Sequence, residues 1–231
     1  MPQRERCFIL LRDKLKQWKN PLERLQEPTR ICKICFKDFS INSTRTLFNK
    51  NIHVCDKCFN KFNAKFRSFT ISNVKGIAVY DYDESIKELI YQFKGCYDIE
   101  LGSLFLEQYI LFIKYKFNNY YIVPIPSYYK DDIRREFNHV TEAFRCMNLP
   151  YINIIEKIDE YKQSDQKKSN RINIKEHLKV SDLEKVKNKK ILIVDDVVTT
   201  GSTLQATIDL LKEGHPKDIK ILTIAKVRHH S

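Results

Sequence analysis

Glycine, proline and methionine are scarce in this chain, and no long apolar run occurs. Five glycines and seven prolines in 231 residues exclude collagen-like and low-complexity sequence. The longest apolar stretches, such as Leu104–Tyr115, are interrupted by Glu107 and Lys114. A membrane span needs roughly 20 mostly apolar residues, so no span is expected. Near the N-terminus, Phe8–Leu11 is ended by Arg12 and Asp13, too short for the apolar core of a signal peptide. The expected location is cytoplasmic, or peripheral at the inner face of the cytoplasmic membrane. Acidic residues are also in deficit: 41 Lys and Arg against 29 Asp and Glu, a net +12. Residues 1–70 hold 16 basic and 6 acidic side chains, and residues 71–231 hold 25 and 23. The excess therefore belongs to the N-terminal third. A polyanion partner there is the sharper reading; solubility combined with an AT-rich coding sequence is the plainer one.

Aromatic residues are plentiful. Fourteen Phe, twelve Tyr and an apolar fraction of 42% exclude a disordered chain. Seven cysteines stand at 7, 32, 35, 55, 58, 96 and 146. Four of them make two CxxC pairs, Cys32/Cys35 and Cys55/Cys58, with nineteen residues between the pairs. That spacing fits a four-thiolate Zn²⁺ site, closed and structural. His53 is a competing ligand, and a redox-active CxxC is the alternative chemistry. Cys7, Cys96 and Cys146 stand alone and read as packing residues.

Three segments follow. Residues 1–28 read as a basic amphipathic helix, with Phe8, Leu11, Leu15, Trp18 and Leu22 at three- and four-residue steps. Trp18 fits packing on a neighbour or stacking on a base. Residues 29–70 read as the zinc module, too small for a core without its metal. Phe59, Phe62, Phe66 and Phe69 are expected on one helix leading out of it. Residues 71–231 alternate strand and helix: strands over 77–82, 120–126, 151–158, 190–196 and 218–227, and helices over 85–93, 101–117, 137–147 and 202–212. Residues 159–188 are polar, without clear periodicity. The pattern predicts an α/β fold, a mostly parallel sheet flanked by helices, behind a small N-terminal four-cysteine zinc module.

The chemistry concentrates in residues 191–204. Ile191-Leu-Ile-Val reads as a buried strand, and Asp195 and Asp196 follow where it leaves the sheet, at the edge where open α/β sheets bind ligands. Thr199, Thr200, Gly201, Ser202 and Thr203 then lead into a helix. Backbone N–H groups and hydroxyls there form an anion cradle, and Gly201 permits the turn. A phosphate cradle beside two carboxylates suits a sugar phosphate; the plain alternative is a strand–turn–helix link with Asp as a cap. The lysine of a Walker A loop is missing.

The run DDVVTTGST resembles the phosphoribosyl-pyrophosphate (PRPP) motif of the type I phosphoribosyltransferases. That resemblance implies that Asp195 and Asp196 hold the ribose hydroxyls, that Thr199 to Thr203 hold the 5′-phosphate, and that Mg²⁺ accompanies PRPP. The order of motifs is similar to the ComF family of competence proteins, which join a cysteine zinc module to a PRPP-motif domain. Phe93-Lys94-Gly95 with Asp98 is similar to that family's aromatic–basic–Gly–Asp segment, and Val123-Pro-Ile-Pro126 to its VPxP strand end. Arg134-Arg135-Glu136-Phe137-Asn138 is similar to its RxRGFN segment, and Lys162-Gln163-Ser164 with Arg171 to its KQS…R stretch. Two departures stand out: Glu136 replaces the glycine, and Cys96-Tyr97 come between Gly95 and Asp98.

The resemblance implies a role in natural transformation, handling incoming single-stranded DNA with a ComFA-like helicase partner. The basic N-terminal third agrees with this, and Lys33, Lys37, Lys57 and Lys61 are candidate DNA contacts. The rival expectation is an active phosphoribosyltransferase of nucleotide metabolism, with Val123–Tyr129 as pyrophosphate loop and residues 159–171 as a lid or a solvated loop. A third is PRPP binding that regulates DNA handling without turnover.

Overall fold

The computed structural model of the chain describes residues 30–40, 52–62, 64–127, 129–157 and 178–228. The segment expected as a helix at 1–28 and the loop at 159–171 lie outside the described residues. The chain divides into two compact units, Met1–Cys55 and Asp56–Ser231.

In the first unit, β1 (Arg30–Ile31) pairs antiparallel with β2 (Asp38–Phe39). The first CxxC turn lies between them. Phe36 N–H donates to the Cys32 carbonyl at 2.8 Å, and Cys32 N–H donates to that of Lys37 at 3.0 Å. Closing so tight a knuckle drives Phe36 to φ 56°, a left-handed conformation that costs an L-residue roughly 1–2 kcal/mol. Arg30 Nη1 donates to the Ile52 carbonyl at 3.1 Å, and Lys33 N–H to that of His53 at 2.9 Å. The two cysteine segments are thereby held together by one side-chain and one backbone hydrogen bond, and by the Cys55 N–H donating to Cys32 Sγ at 3.4 Å.

The second unit starts with α1 (Asp56–Lys61). Phe66 and Phe69 do not continue this helix. The backbone reverses at Phe66, φ 47°, and Arg67–Ile71 form a strand, β3, antiparallel to β4 (Val74–Asp81). Ser72 and Asn73, both at positive φ (48° and 66°), form the two-residue turn whose twist matches a hairpin. The expected single helix over the four phenylalanines is thus corrected. Phe69 and Ile71 repeat at two-residue spacing and alternate with exposed Ser68 and Thr70, the pattern of an edge strand.

The remaining elements come largely in the expected order: α2 (Glu84–Gly95), α3 (Leu104–Glu107), α4 (Ile110–Lys116), β5 (Tyr121–Pro124), α5 (Tyr129–Arg135), α6 (His139–Phe144), β6 (Ile155–Lys157), β7 (Leu178–Val180), β8 (Lys190–Val198), α7 (Ser202–Glu213) and β9 (Asp218–Lys226). The sheet order is β3-β4-β9-β8-β5, with β4, β9, β8 and β5 mutually parallel. Two expectations are modified. The helix over 101–117 is broken into a 3₁₀ turn at Ile99–Leu101, α3 and α4, the breaks falling at Gly102-Ser103 and near Tyr109. The strand over 151–158 contributes a parallel bridge at Tyr151, beside Ile122, and then β6, which pairs with β7 instead of joining the main sheet. A short strand thus emerges from the polar segment read as aperiodic.

Both sheet faces are covered, as the unbroken apolar run of β8 requires. On one face Ile191, Ile193 and Ile221 pack with Leu204, Ile208 and Leu211 of α7. On the other lie the fully buried rings of Phe93, Phe105 and Phe144. α2 is started by Asp83, whose side chain accepts from Ile86 N–H at 3.0 Å, a standard N-cap.

Candidate functional site at the carboxyl edge of the sheet

Asp195 and Asp196 are consecutive residues near the end of β8, so their side chains leave toward opposite faces. Asp196 turns to the face covered by α2 and α6. It forms an ion pair with Lys94 of α2, and His139 Nε2 of α6 lies 3.3 Å from its Oδ2. Burial alone would raise the Asp196 carboxyl; the His139 hydrogen bond and the Lys94 charge outweigh it and hold the group well below the usual carboxylate range. Asp195 shares the α7 face, and its Oδ1 accepts from Asp196 N–H at 2.9 Å. Burial, followed by the neighbouring Asp196 charge, pushes Asp195 well above its ordinary value. The two carboxyls of one dipeptide are therefore displaced in opposite directions from their ordinary value.

The loop after β8 behaves as its composition requires. Thr199 and Thr200 are exposed. Gly201 sits at φ 78° as the N-cap of α7. A Cβ there would come within 2.7 Å of Ile71 Cδ1, so glycine is needed both for its conformation and for its small volume. Thr200 Oγ1 and Ser202 Oγ are hydrogen-bonded at 2.9 Å, and Ser202 N–H donates to Thr200 Oγ1 at 3.4 Å. Ser202 and Thr203 form the first turn of the helix, where N–H groups have no intrahelical acceptor. The expected residues Asp195 to Thr203 thus share one strand–turn–helix connection. The donor set suits a sugar phosphate: hydroxyls and first-turn N–H groups for the phosphate, Asp195 for ribose hydroxyls and, with the phosphates, for Mg²⁺.

A second layer of polar residues is marked only in part by the sequence. Asp132 Oδ2 accepts from Asn138 Nδ2 at 2.8 Å and from the Ser127 hydroxyl. Asn138 also caps α6, its Oδ1 accepting from Thr141 N–H at 2.8 Å. His139 Nδ1 lies 3.4 Å from Arg135 Nη1 and 3.9 Å from Asp132 Oδ1. Arg135 Nε donates to the Lys94 carbonyl at 3.0 Å. The network runs from Ser127 through Asp132 and His139 to Asp196, which Lys94 also pairs. Lys94 was flagged by the FKG segment and Asn138 by the REFN segment; the role of His139 follows only from the packing of α6 against β8. Ser127, read as part of a pyrophosphate loop, is committed to Asp132 and Asn138. Glu136, in place of the family's glycine, is at φ 63°, the region that favours glycine.

At the same sheet edge, Asp81 of β4 accepts from Arg67 Nε at 3.2 Å and from Arg228. The Arg228 hydrogen bond, with Arg67 behind it, holds the Asp81 carboxyl below its usual value.

The cysteine sulfurs of Cys32, Cys35, Cys55 and Cys58 all lie within 4.8 Å of one another. Cys35 and Cys55 Sγ are 3.8 Å apart, and a tetrahedral site with Zn–S of 2.3 Å sets sulfur separations of about 3.8 Å. Burial raises the Cys32 thiol, but hydrogen bonds from the backbone of Cys55, Cys35 and Ile34 prevail and lower it to about 7, toward the thiolate a metal requires. The cluster is compatible with a zinc site; His53 is not among the clustered residues. Cys146 is pushed up to about 12 by burial, as a packing cysteine would be.

The four candidate DNA lysines are distributed unevenly. Lys33 lies inside the first CxxC and Lys37 two residues after it in one unit, and Lys57 and Lys61 stand on α1 in the other. Lys61 is 3.6 Å from Glu88 Oε2, so part of its charge is already offset.

The Phosphoribosyl transferase domain family matches residues 138–231. Competence protein ComFC of Streptococcus pneumoniae (strain ATCC BAA-255 / R6) is 27% identical over 149 residues, 64% of this chain and 67% of that protein. Competence protein ComFC of Bacillus subtilis (strain 168) is 25% identical over 225 residues, 96% of this chain and 88% of that protein. Hypoxanthine-guanine phosphoribosyltransferase of Canis lupus familiaris is 40% identical over 43 residues, 19% of this chain and 20% of that protein. The domain match and the sheet topology agree: the fold is type I phosphoribosyltransferase-like.

Proposed function

Starting from a ComFC-like, competence-related chain with a phosphoribosyltransferase-type domain, we propose that it handles incoming single-stranded DNA in natural transformation and binds PRPP with Mg²⁺ at the end of β8. The observation that carries this reading is the acidic pair and the Gly201 turn on one connection, in a chain similar to ComFC over 96% of its length. Thr199 to Thr203 take the 5′-phosphate, and Asp195 takes the ribose hydroxyls. Asp196 contributes once Lys94 shares its charge with the ligand. Mg²⁺, when bound, neutralises the pyrophosphate.

The N-terminal segment 1–28, the four-cysteine module and the sheet domain divide the labour, with β3 (Arg67–Ile71) belonging to the sheet domain. The four cysteines hold one structural Zn²⁺, and Lys33, Lys37, Lys57 and Lys61 contact the DNA backbone. The protein works in the cytoplasm or against the inner face of the membrane, beside a ComFA-like helicase. No helix among the described residues is long and apolar enough to cross a membrane. Calorimetry with PRPP and Mg²⁺, and titration with oligothymidine, test the two halves of the proposal on one preparation. Absence of both interactions refutes it.

The second reading is turnover. It is favoured by the match of residues 138–231 to the Phosphoribosyl transferase domain family. Incubation with PRPP, Mg²⁺ and nucleobases releases pyrophosphate if the protein is a transferase; PRPP binding without release leaves PRPP as a regulatory ligand.

A further inference from the structure

Counted along the chain, residues 71–231 are nearly neutral, with 25 basic and 23 acidic side chains. In space that balance disappears. At the carboxyl edge, Asp81 is tied to Arg67 and Arg228, and Asp196 to Lys94. The amino edge carries a different population. Lys75 stands at the start of β4, Lys220 at the start of β9, Lys116 at the end of α4 and Lys190 at the start of β8.

Strand registers place these groups together. Ser68 is opposite Ile77, and Thr70 is opposite Lys75. Gly76 is opposite Ile221, which puts Lys75 beside Lys220. Residues of one parity share one face, so Ser68, Thr70, Lys75 and Lys220 project to the same side. They line a cavity of 470 Å³ whose lining includes Lys116. A second cavity of 430 Å³ shares Lys75 and Lys220 and adds Lys212 and His215. The single carboxylate lining either cavity is Asp218. Its Oδ2 accepts the Tyr120 hydroxyl, and its Oδ1 is 3.9 Å from Lys220 Nζ. The lysines therefore far exceed the local negative charge.

Rings accompany the lysines. Lys116 Nζ lies 5.9 Å from the centre of the Phe112 ring, which is 49% exposed. Phe66 braces that ring edge-on at 5.1 Å.

We infer that this amino edge is a binding surface for the phosphate backbone of single-stranded nucleic acid, with Lys75, Lys116 and Lys220 on phosphates and Phe112 available to a base. The inference takes its class of partner from the function proposed above and gives that partner a second place on the protein. Charge complementarity commits the occupant to a polyanion, and the lysine–ring pairing selects a single strand, because stacking needs an unpaired base. Ser68 and Thr70 add hydroxyl donors, common partners of phosphate oxygens.

The test uses the full chain and fluorescent oligothymidine across a salt series. Lys75→Gln/Lys116→Gln/Lys220→Gln is compared with Lys33→Gln/Lys37→Gln/Lys57→Gln/Lys61→Gln. Three lost phosphate contacts make the slope of log affinity against log salt shallower by about 2 for a single strand. Phe112→Leu, which keeps bulk against Phe66, weakens oligothymidine on the order of tenfold and leaves duplex binding unchanged. Unfolding midpoints equal to the parent's certify that the variants are folded. An unchanged salt slope in the triple variant overturns this surface while leaving the DNA reading in force. A parent that does not bind oligothymidine at all overturns the DNA reading and this inference with it. Anionic phosphatidylglycerol vesicles lost by the triple variant, with oligothymidine retained, make the edge a membrane contact instead.

Discussion

Lys94 and Asp196, 102 positions apart in the chain, form an ion pair beneath the carboxyl edge of the sheet. The lysine side chain is 30% exposed and the aspartate 10%, so the pair is largely removed from water. Removing one member of such a pair strands the other charge. Lys94→Met is expected to cost about 3–5 kcal/mol, read from urea unfolding. Asp196→Asn added to it returns part of that loss, because the stranded charge is gone. Additive losses in the double variant would show that the pair does not couple.

PRPP affinity is expected to depend on pH through Asp195. Burial and the Asp196 charge raise the Asp195 carboxyl, so it ionises above the usual carboxylate range, and accepting ribose hydroxyls is stronger from the charged form. Affinity therefore rises with pH through that range. Asp195→Asn should bind PRPP weakly and with a flat profile in calorimetry; a rising profile in this variant assigns the titration elsewhere.

Metal content has a definite expectation. The purified protein carries one Zn²⁺ per chain by mass spectrometry, and Cys32→Ser with Cys58→Ser carries none. Two thiolates do not complete a structural tetrahedral site. The four-cysteine assignment fails if that double variant keeps its zinc.

Acid stability follows from Asp81 and Asp196. Both carboxyls are lowered in the folded chain, and unfolded aspartate titrates near about 3.9. A lowered folded pKa contributes stability that is present above the unfolded value and lost as pH falls through the folded one. The unfolding midpoint should therefore decline below about pH 4. Asp81→Asn should be less stable at neutral pH and show a shallower decline.

Glu136 occupies a left-handed backbone position, φ 63°. Glu136→Gly relieves a conformational cost of roughly 1–2 kcal/mol and adds unfolded-chain entropy of the order of 0.5–1 kcal/mol. A net gain of up to about 1.5 kcal/mol is expected in denaturant titration. A loss would mean that the Glu136 side chain itself stabilises the segment.

How far the sequence foretold this structure varies by element, for physical reasons. β8 and α7 were legible because nine residues with a buried apolar start and a Thr-Gly-Ser turn leave few alternatives. The cysteine cluster was legible because its spacing is set by coordination chemistry. β3 was not: Phe59, Phe62, Phe66 and Phe69 satisfy a helical period, and Phe69 and Ile71 also satisfy a strand period. The Ser72-Asn73 turn decided between them, and it is a weaker mark than Asn-Gly. His139 carries no mark in the sequence because its partners, Asp132 and Asp196, come from α5 and β8, and no spacing in the chain encodes that meeting. The amino-edge lysines were hidden by a linear count that sums charges from opposite ends of the same strands.

The sheet order β3-β4-β9-β8-β5 also dictates where the polypeptide tolerates being divided. The two central strands, β9 and β8, are made late in the chain, and both outer flanks are made early. A fragment cut to residues 138–231, the stretch matched by the domain family, would contain the whole Asp195–Thr203 connection yet lose β4 from one side and β5 from the other. Two bare ladders of peptide groups, bordered by Ile191, Ile193 and Ile221, would then face water and recruit further copies edge to edge. Gly201 would lose its neighbour Ile71 as well. Such a fragment is expected to aggregate on expression, while a fragment beginning ahead of β3 retains both flanks and stays monodisperse.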